Sequence, residues 1–159
     1  MEENTGVGIR VAAGIFLTIM LITIVVIITI SSQDAAKQGQ TKMASITTQL
    51  SDTEFNTYNN TTLSGSQVLN AVRQYMDQAQ FGLQVTTGKQ IAAGSAPTFY
   101  GNTFTSEGEV TNADIYKNRT LTPAENQSSV EYINPSGKFT SEVKKDKNNM
   151  VRGIIFTQI

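Results

Sequence analysis

The sequence predicts an α+β protein: an N-terminal transmembrane helix extended into a long amphipathic helix, then a small head in which one helix packs on an antiparallel sheet. Three observations carry this. Val11 to Ile30 is an unbroken apolar run with no charge, no proline and nothing more polar than threonine. The polar stretch after it also lacks proline and repeats apolar residues at helical spacing. The remaining part, about 100 residues and enough for one small domain, opens with a capped amphipathic helix and closes with alternating segments set apart by turn residues.

At about 1.5 Å per residue the apolar run makes a helix about 30 Å long, the thickness of a bilayer's hydrocarbon core. Lipid offers no partners to backbone N–H and C=O groups, so a lone segment crosses it as a helix. A cleaved signal peptide would carry a shorter apolar core behind a basic segment. Here the run follows the acidic MEENTG, and Thr29-Ile30-Ser31 is the only candidate cleavage pattern. The reading is an uncleaved anchor over 9–30 behind a flexible tail, 1–8. Arg10 stands where a long side chain can reach the interface, and Gly14 has no GxxxG partner.

From 31 to 53, Ala36, Gly39, Met43, Ile46 and Leu50 recur at spacings of 3, 4, 3 and 4 residues, one seam of an amphipathic helix that continues the anchor; the alternative is a flexible stalk, since Ser, Thr and Gln dilute the seam and Gly39 weakens a helix. Together with Ile15, Ile19, Ile22 and Val26 in the apolar part, Met43, Ile46 and Leu50 form the candidate assembly interface. The seam is too short to establish a coiled coil. It would serve equally to pack on a following sheet.

The head occupies 54–159. Phe55, Thr57 and Tyr58 suggest a short strand before an asparagine-rich turn. Ser64-Gly65-Ser66-Gln67 has the spacing of a capping box, so a helix runs from Ser66 to about Gln80. Its apolar stripe is Val68, Leu69, Val72, Met76 and Ala79, with Gly82 placed to end it. Phe81 to Thr87 alternates as a half-buried strand. Between 88 and 127, strands are expected around Pro97 to Phe104 and Ile115 to Leu121. Ser128 to Ile133, the type I turn Asn134-Pro135-Ser136-Gly137 and the strand from Lys138 read as a hairpin. A second turn at KKDKNN leads to a last strand, Met150 to Gln158, completing a three-stranded antiparallel meander.

Chemistry is narrowed by composition. Histidine and cysteine are absent, which removes Ser-His-Asp triads, thiol nucleophiles, the usual zinc sites and disulfides. Ser141 and Lys144 match an SxxK spacing, but a lysine at a strand edge entering an exposed turn stays solvated and protonated. Glu107, Glu109 and Asp114 beside Asn112 could offer oxygen ligands to Ca²⁺, and are read as solvated loop charge. No catalytic, cofactor or metal residue is assigned, and the chain is not expected to be an enzyme. Beyond Ile30 the formal charges cancel, so nucleic acid is not an expected partner, and KKDK reads as protection of an edge strand. With Arg10 on one flank and Lys37 and Lys42 on the other, the positive-inside rule does not decide the orientation. The head, cysteine-free and roughly 40% Ser, Thr, Asn and Gln after Ile30, against ordinary usage, suits the extracytoplasmic side of a single-pass cell-membrane protein.

The layout of an apolar N-terminal helix, prolonged by an amphipathic half and followed by a β-rich head, resembles type IV pilin-like proteins. The segments TTLSGSQVLNAVRQY and YINPSGKFTSEVKKDKNNMVRGIIFTQ are similar to small anchored proteins of Gram-positive bacteria that accompany tight-adherence pilus machinery. The resemblance implies a membrane-anchored subunit of a surface filament or a secretion or adhesion apparatus. Its partners would be membrane lipid, further copies of itself and other apparatus subunits. After Gly6, Gly8 and Gly14 the fifth residues are Val11, Ala13 and Ile19, where prepilins carry glutamate, so prepilin-type processing is not expected. The alternative is a single-pass extracytoplasmic binding or sensing module whose pocket wall is the aromatic stretch Phe99 to Phe104.

Overall fold

The apolar run and the polar seam that follows it lie in one uninterrupted helix, α1 (Glu2–Asn56). The computed structural model of the chain describes residues 2–116 and 118–159, and the side chains of these except 2 and 112–115. The chain divides into two compact units, Met1–Thr47 and Thr48–Ile159. Two expectations change along α1. The helix is already formed at Glu2, so 2–8 of the stretch expected as a flexible tail is helical, and residue 1 lies outside the described residues. Phe55, expected in a strand, belongs to the last turn of α1, because its ring is drawn into the core against Phe81 at 4.8 Å and Tyr75 at 5.1 Å. The chain turns only after Asn56, with Asn60 at φ 52°.

In the second unit, β1 (Thr61–Ser64) leads directly into α2 (Gly65–Tyr75). Ser64 caps α2 as expected: its side chain accepts the Gln67 N–H, and the Gln67 side chain accepts the Ser64 N–H at 2.9 Å. Val68, Leu69, Val72 and Met76 are buried as predicted, while Ala79 is exposed because the helix ends at Tyr75. The reversal after it is made by Gln80 at φ 53° and not by Gly82. β2 (Gly82–Thr86) is followed by a short helix not foreseen, α3 (Gly88–Ala93), with a second capping box from Thr87 and Gln90 and a left-handed Gly94 at its end. β3 (Thr98–Phe104) falls where expected and pairs with β4 (Val110–Tyr116). The second strand expected near Ile115 to Leu121 therefore ends at Tyr116; residue 117 lies outside the described residues. α4 (Thr122–Glu125) starts with a proline in its first turn.

The segment Ser128 to Ile133 is not a strand. Its carbonyls are taken elsewhere: Thr87 Oγ1 donates to Val130 O at 2.6 Å, and Lys89 Nζ donates to Gln127 O and Ser129 O. The Asn134–Gly137 turn is present, closed by Gly137 N–H to Asn134 O at 2.9 Å. It delivers the chain into β5 (Lys138–Lys145), which pairs with β6 (Val151–Gln158) across a turn with Asn149 at φ 61°.

The six strands form one sheet in the order β1-β5-β6-β2-β3-β4. Every pairing is antiparallel except β2 with β6, so the sheet is mixed and the expected meander reduces to the β5–β6 hairpin. One face carries the core: Leu83, Val85, Tyr100, Phe139, Ile154 and Phe156 are buried there, with Phe55 of α1, the stripe of α2 and Ala124 of α4 in the same cluster. Three glycines stand side by side across adjacent strands, Gly153, Gly82 and Gly101. The Phe104 ring folds over the first two on the other face: a Cβ added at Gly153 would meet it at 2.4 Å and one added at Gly82 at 3.0 Å, whereas one added at Gly101, at φ 76°, would meet the carbonyls of Met76 and Phe81. A bulge around Asn102 lets β3 turn far enough to place that ring.

Candidate membrane anchor and assembly surface

α1 contains a stretch long and apolar enough to cross a membrane. Ile, Val and Thr dominate it, residues that lose side-chain freedom in a helix, but in lipid the need to pair every backbone group outweighs that small cost. The threonines satisfy themselves. Thr18, Thr23 and Thr29 donate to the carbonyls of Gly14, Ile19 and Val25 at 2.8–2.9 Å. Neither charge nor unpaired hydroxyl therefore interrupts the run, and the nearest charges are Arg10 on one side and Asp34 on the other. Every large apolar side chain from Val11 to Ile30 is 47–66% exposed. Fully burying one such side chain contributes about 1.5–3 kcal/mol, so covering the exposed half of them all contributes on the order of 10–20 kcal/mol.

The residues expected to form an assembly interface are all exposed: Ile15, Ile19, Ile22, Val26, Met43, Ile46 and Leu50. They do not make one face. At about 100° per residue, Ile15, Ile19, Ile22 and Val26 fall within one stripe, whereas Met43 and Ile46 fall on another roughly 120° around the helix. Leu50 belongs to the second unit and is exposed there.

Among the residues considered for chemistry, Ser141 and Lys144 are apart. An odd spacing in a strand sends side chains to opposite faces. Ser141 is buried and donates to Thr61 O at 3.1 Å, while Lys144 pairs with Glu142 at 2.6 Å. Glu109 pairs with Lys147 at 2.6 Å, an ion pair that holds the lysine above its usual range. The Glu107 carboxyl is held low by the Ser106 hydroxyl. The side chains of Asn112 and Asp114 lie outside the described residues. Phe99 and Phe104 lie on the helix-free face of the sheet and Tyr100 in the core, so the stretch expected as a pocket wall is split between two faces.

Two polar clusters organise the loops. Asp146 closes the β5–β6 turn, its Oδ1 accepting the N–H groups of Asn148 and Met150 at 2.8 and 3.0 Å and its Oδ2 accepting Arg152 Nε at 2.7 Å. Burial would raise the Asp146 carboxyl, but these bonds hold it below the usual carboxylate range. Arg119 is paired with Glu131 at 2.6 Å and lies over the rings of Tyr100 and Tyr116. Burial pushes the Tyr100 hydroxyl up to about 12, with Glu131 adding to the shift and Arg119 opposing it. A third contact, Lys145 with Asp52 at 2.7 Å, ties β5 to the last turns of α1 beside a cleft of about 280 Å³ floored by Phe55, Val143 and Val151. Sequence reasoning missed this pair, since nothing in the spacing of Asp52 and Lys145 links them.

The helix-free face holds one further regularity. Thr62, Thr140, Thr157 and Thr86 stand directly opposite one another on β1, β5, β6 and β2. Comparison of the chain with protein-family models, with curated proteins and with solved structures finds no significant match.

Proposed function

We propose that the protein is a membrane-anchored structural subunit of a bacterial surface filament or a secretion or adhesion apparatus, with its head on the extracytoplasmic side, assembling through α1. The observation that carries this reading is the continuity of α1: an apolar run of bilayer length passes without a break into a polar helix that still exposes Met43, Ile46 and Leu50. An anchor alone has no use for that second stripe. Its offset from the first also bears on the kind of assembly. One straight neighbour cannot cover two stripes about 120° apart, so each helix would touch different neighbours through different faces. Contacts of that heterologous kind propagate where the rotation does not close.

The test is electron microscopy of the full chain extracted in mild detergent, with intact-mass analysis of the same sample. Ordered polymers or discrete oligomers are expected, and Ile46→Glu with Leu50→Glu should disperse them without releasing the protein from membranes. Dispersed monomers of the unaltered chain would overturn the reading.

A further inference from the structure

We propose that the helix-free face of the head sheet binds a neutral, polyhydroxylated ligand, a glycan chain, along the threonine row and against the aromatic pair Phe99 and Tyr116. Register places these groups together. Leu83 and Val85 point into the core, so Gln84 between them points outward, and Phe99, directly opposite Gln84, points outward with it. By the same alternation Thr86 faces outward, and Thr157, Thr140 and Thr62 follow across the next three strands. With neighbouring strands about 4.8 Å apart, the row sets hydroxyl groups at regular intervals over about 14 Å.

A hydroxyl can both donate and accept; Thr140 already donates to Thr157 O at 3.2 Å, which leaves its oxygen to accept, and the row as a whole suits a ligand whose own groups do both. The row has no formal charge; beside it Glu142 is neutralised by Lys144 at 2.6 Å, and Lys138 stands at its border. That balance fits a neutral ligand better than an anionic or cationic one. A cleft of about 300 Å³ opens on this face between Asn60, Thr62, Thr140, Glu142, Ile155 and Thr157, at the lower end of the size range of small-ligand sites. Phe99 lies near-parallel to Tyr116, with ring centroids 6.5 Å apart and planes at 18°, and Phe104 meets Phe99 edge-on at 5.7 Å. Both rings are half-buried and Arg119 lies 5.3 Å from the Tyr116 centroid, so the part of Phe99 left open is the apolar contact for the C–H face of a sugar ring.

Threonine also suits an exposed strand by propensity alone, and the experiment separates the two roles. The full chain in mild detergent is titrated calorimetrically with cellohexaose and with chitohexaose, both neutral. Saturable binding of at least one is expected. Thr140→Val with Thr157→Val keeps side-chain shape and strand propensity but removes two hydroxyls, and should weaken binding at least tenfold. Thr140→Ser with Thr157→Ser should restore most of it, with circular dichroism unchanged in both. No binding of either hexaose, or equal binding by the valine variant, would overturn the proposal. The outcome is independent of whether α1 assembles.

Discussion

Replacing Gly153 by alanine tests the packing of the helix-free face. The added Cβ would lie 2.4 Å from Cε1 of Phe104, 2.6 Å from Cζ and 2.7 Å from Cδ1, so the ring must leave its place. Phe104 is 7% exposed, and moving it into water forfeits most of the roughly 1.5–3 kcal/mol that burial of such a side chain contributes. A strand position gains about 0.5–1 kcal/mol when glycine becomes alanine. The net cost of Gly153→Ala is therefore about 1–2 kcal/mol. Phe104→Ala alone should cost about 3 kcal/mol, but in its presence Gly153→Ala should become neutral or slightly stabilising, since the three atoms nearest the added Cβ all belong to the Phe104 ring. The assay is urea unfolding of the four proteins of this cycle in mild detergent, followed by tyrosine fluorescence because the chain has no tryptophan. Equal destabilisation by Gly153→Ala in both backgrounds would refute the argument, because the two sites would then be independent.

Asp146→Asn keeps the oxygen that accepts the turn N–H groups and removes the charge that meets Arg152, so it should cost about 1–3 kcal/mol at neutral pH by chemical denaturation. The wild-type Asp146 carboxyl is depressed in the folded state, so its contribution is present above the unfolded value of about 3.9 and is lost as pH falls through the folded one; the Asn variant should lack that acid-side loss. Ser64→Ala breaks the capping box of α2 and should lower stability by about 1 kcal/mol, read as a shift of the urea midpoint at unchanged slope. Ile19→Lys with Ile22→Lys raises the cost of insertion by roughly 5–7 kcal/mol and should move protein from the carbonate-resistant membrane fraction into the soluble one; unaltered retention would argue against a span centred there.

The parts of the fold legible in the sequence were those with a local cause. The apolar run, the Ser64 box, the alternation in β2 and the NPSG turn each rest on residues a few positions apart. Thr87 and Gln90 repeat the Ser64 signal and could have revealed α3. What could not be read locally was decided by distant partners. Phe55 is helical because Phe81 and Tyr75 receive its ring, and Ser128 to Ile133 fails to pair because Thr87 and Lys89 hold its carbonyls. The apolar stripe residues of α1 are all exposed, and spacing within each half concealed the offset between the halves. The threonine row was invisible in the sequence because its four members come from strands separated by up to 95 positions.

β6 is the last strand in chain order, yet it lies in the middle of the sheet, between β5 and β2. Until it is synthesised the head can exist only as two fragments, the β2-β3-β4 group and the β1-β5 pair, each with an open edge waiting for the same strand. The β5–β6 hairpin is local, so closure depends on the pairing of β6 with β2, remote in sequence and of the class that forms slowest. During that interval each open edge can also accept a strand from another chain. The timing of that last strand therefore sets how long both edges stay open.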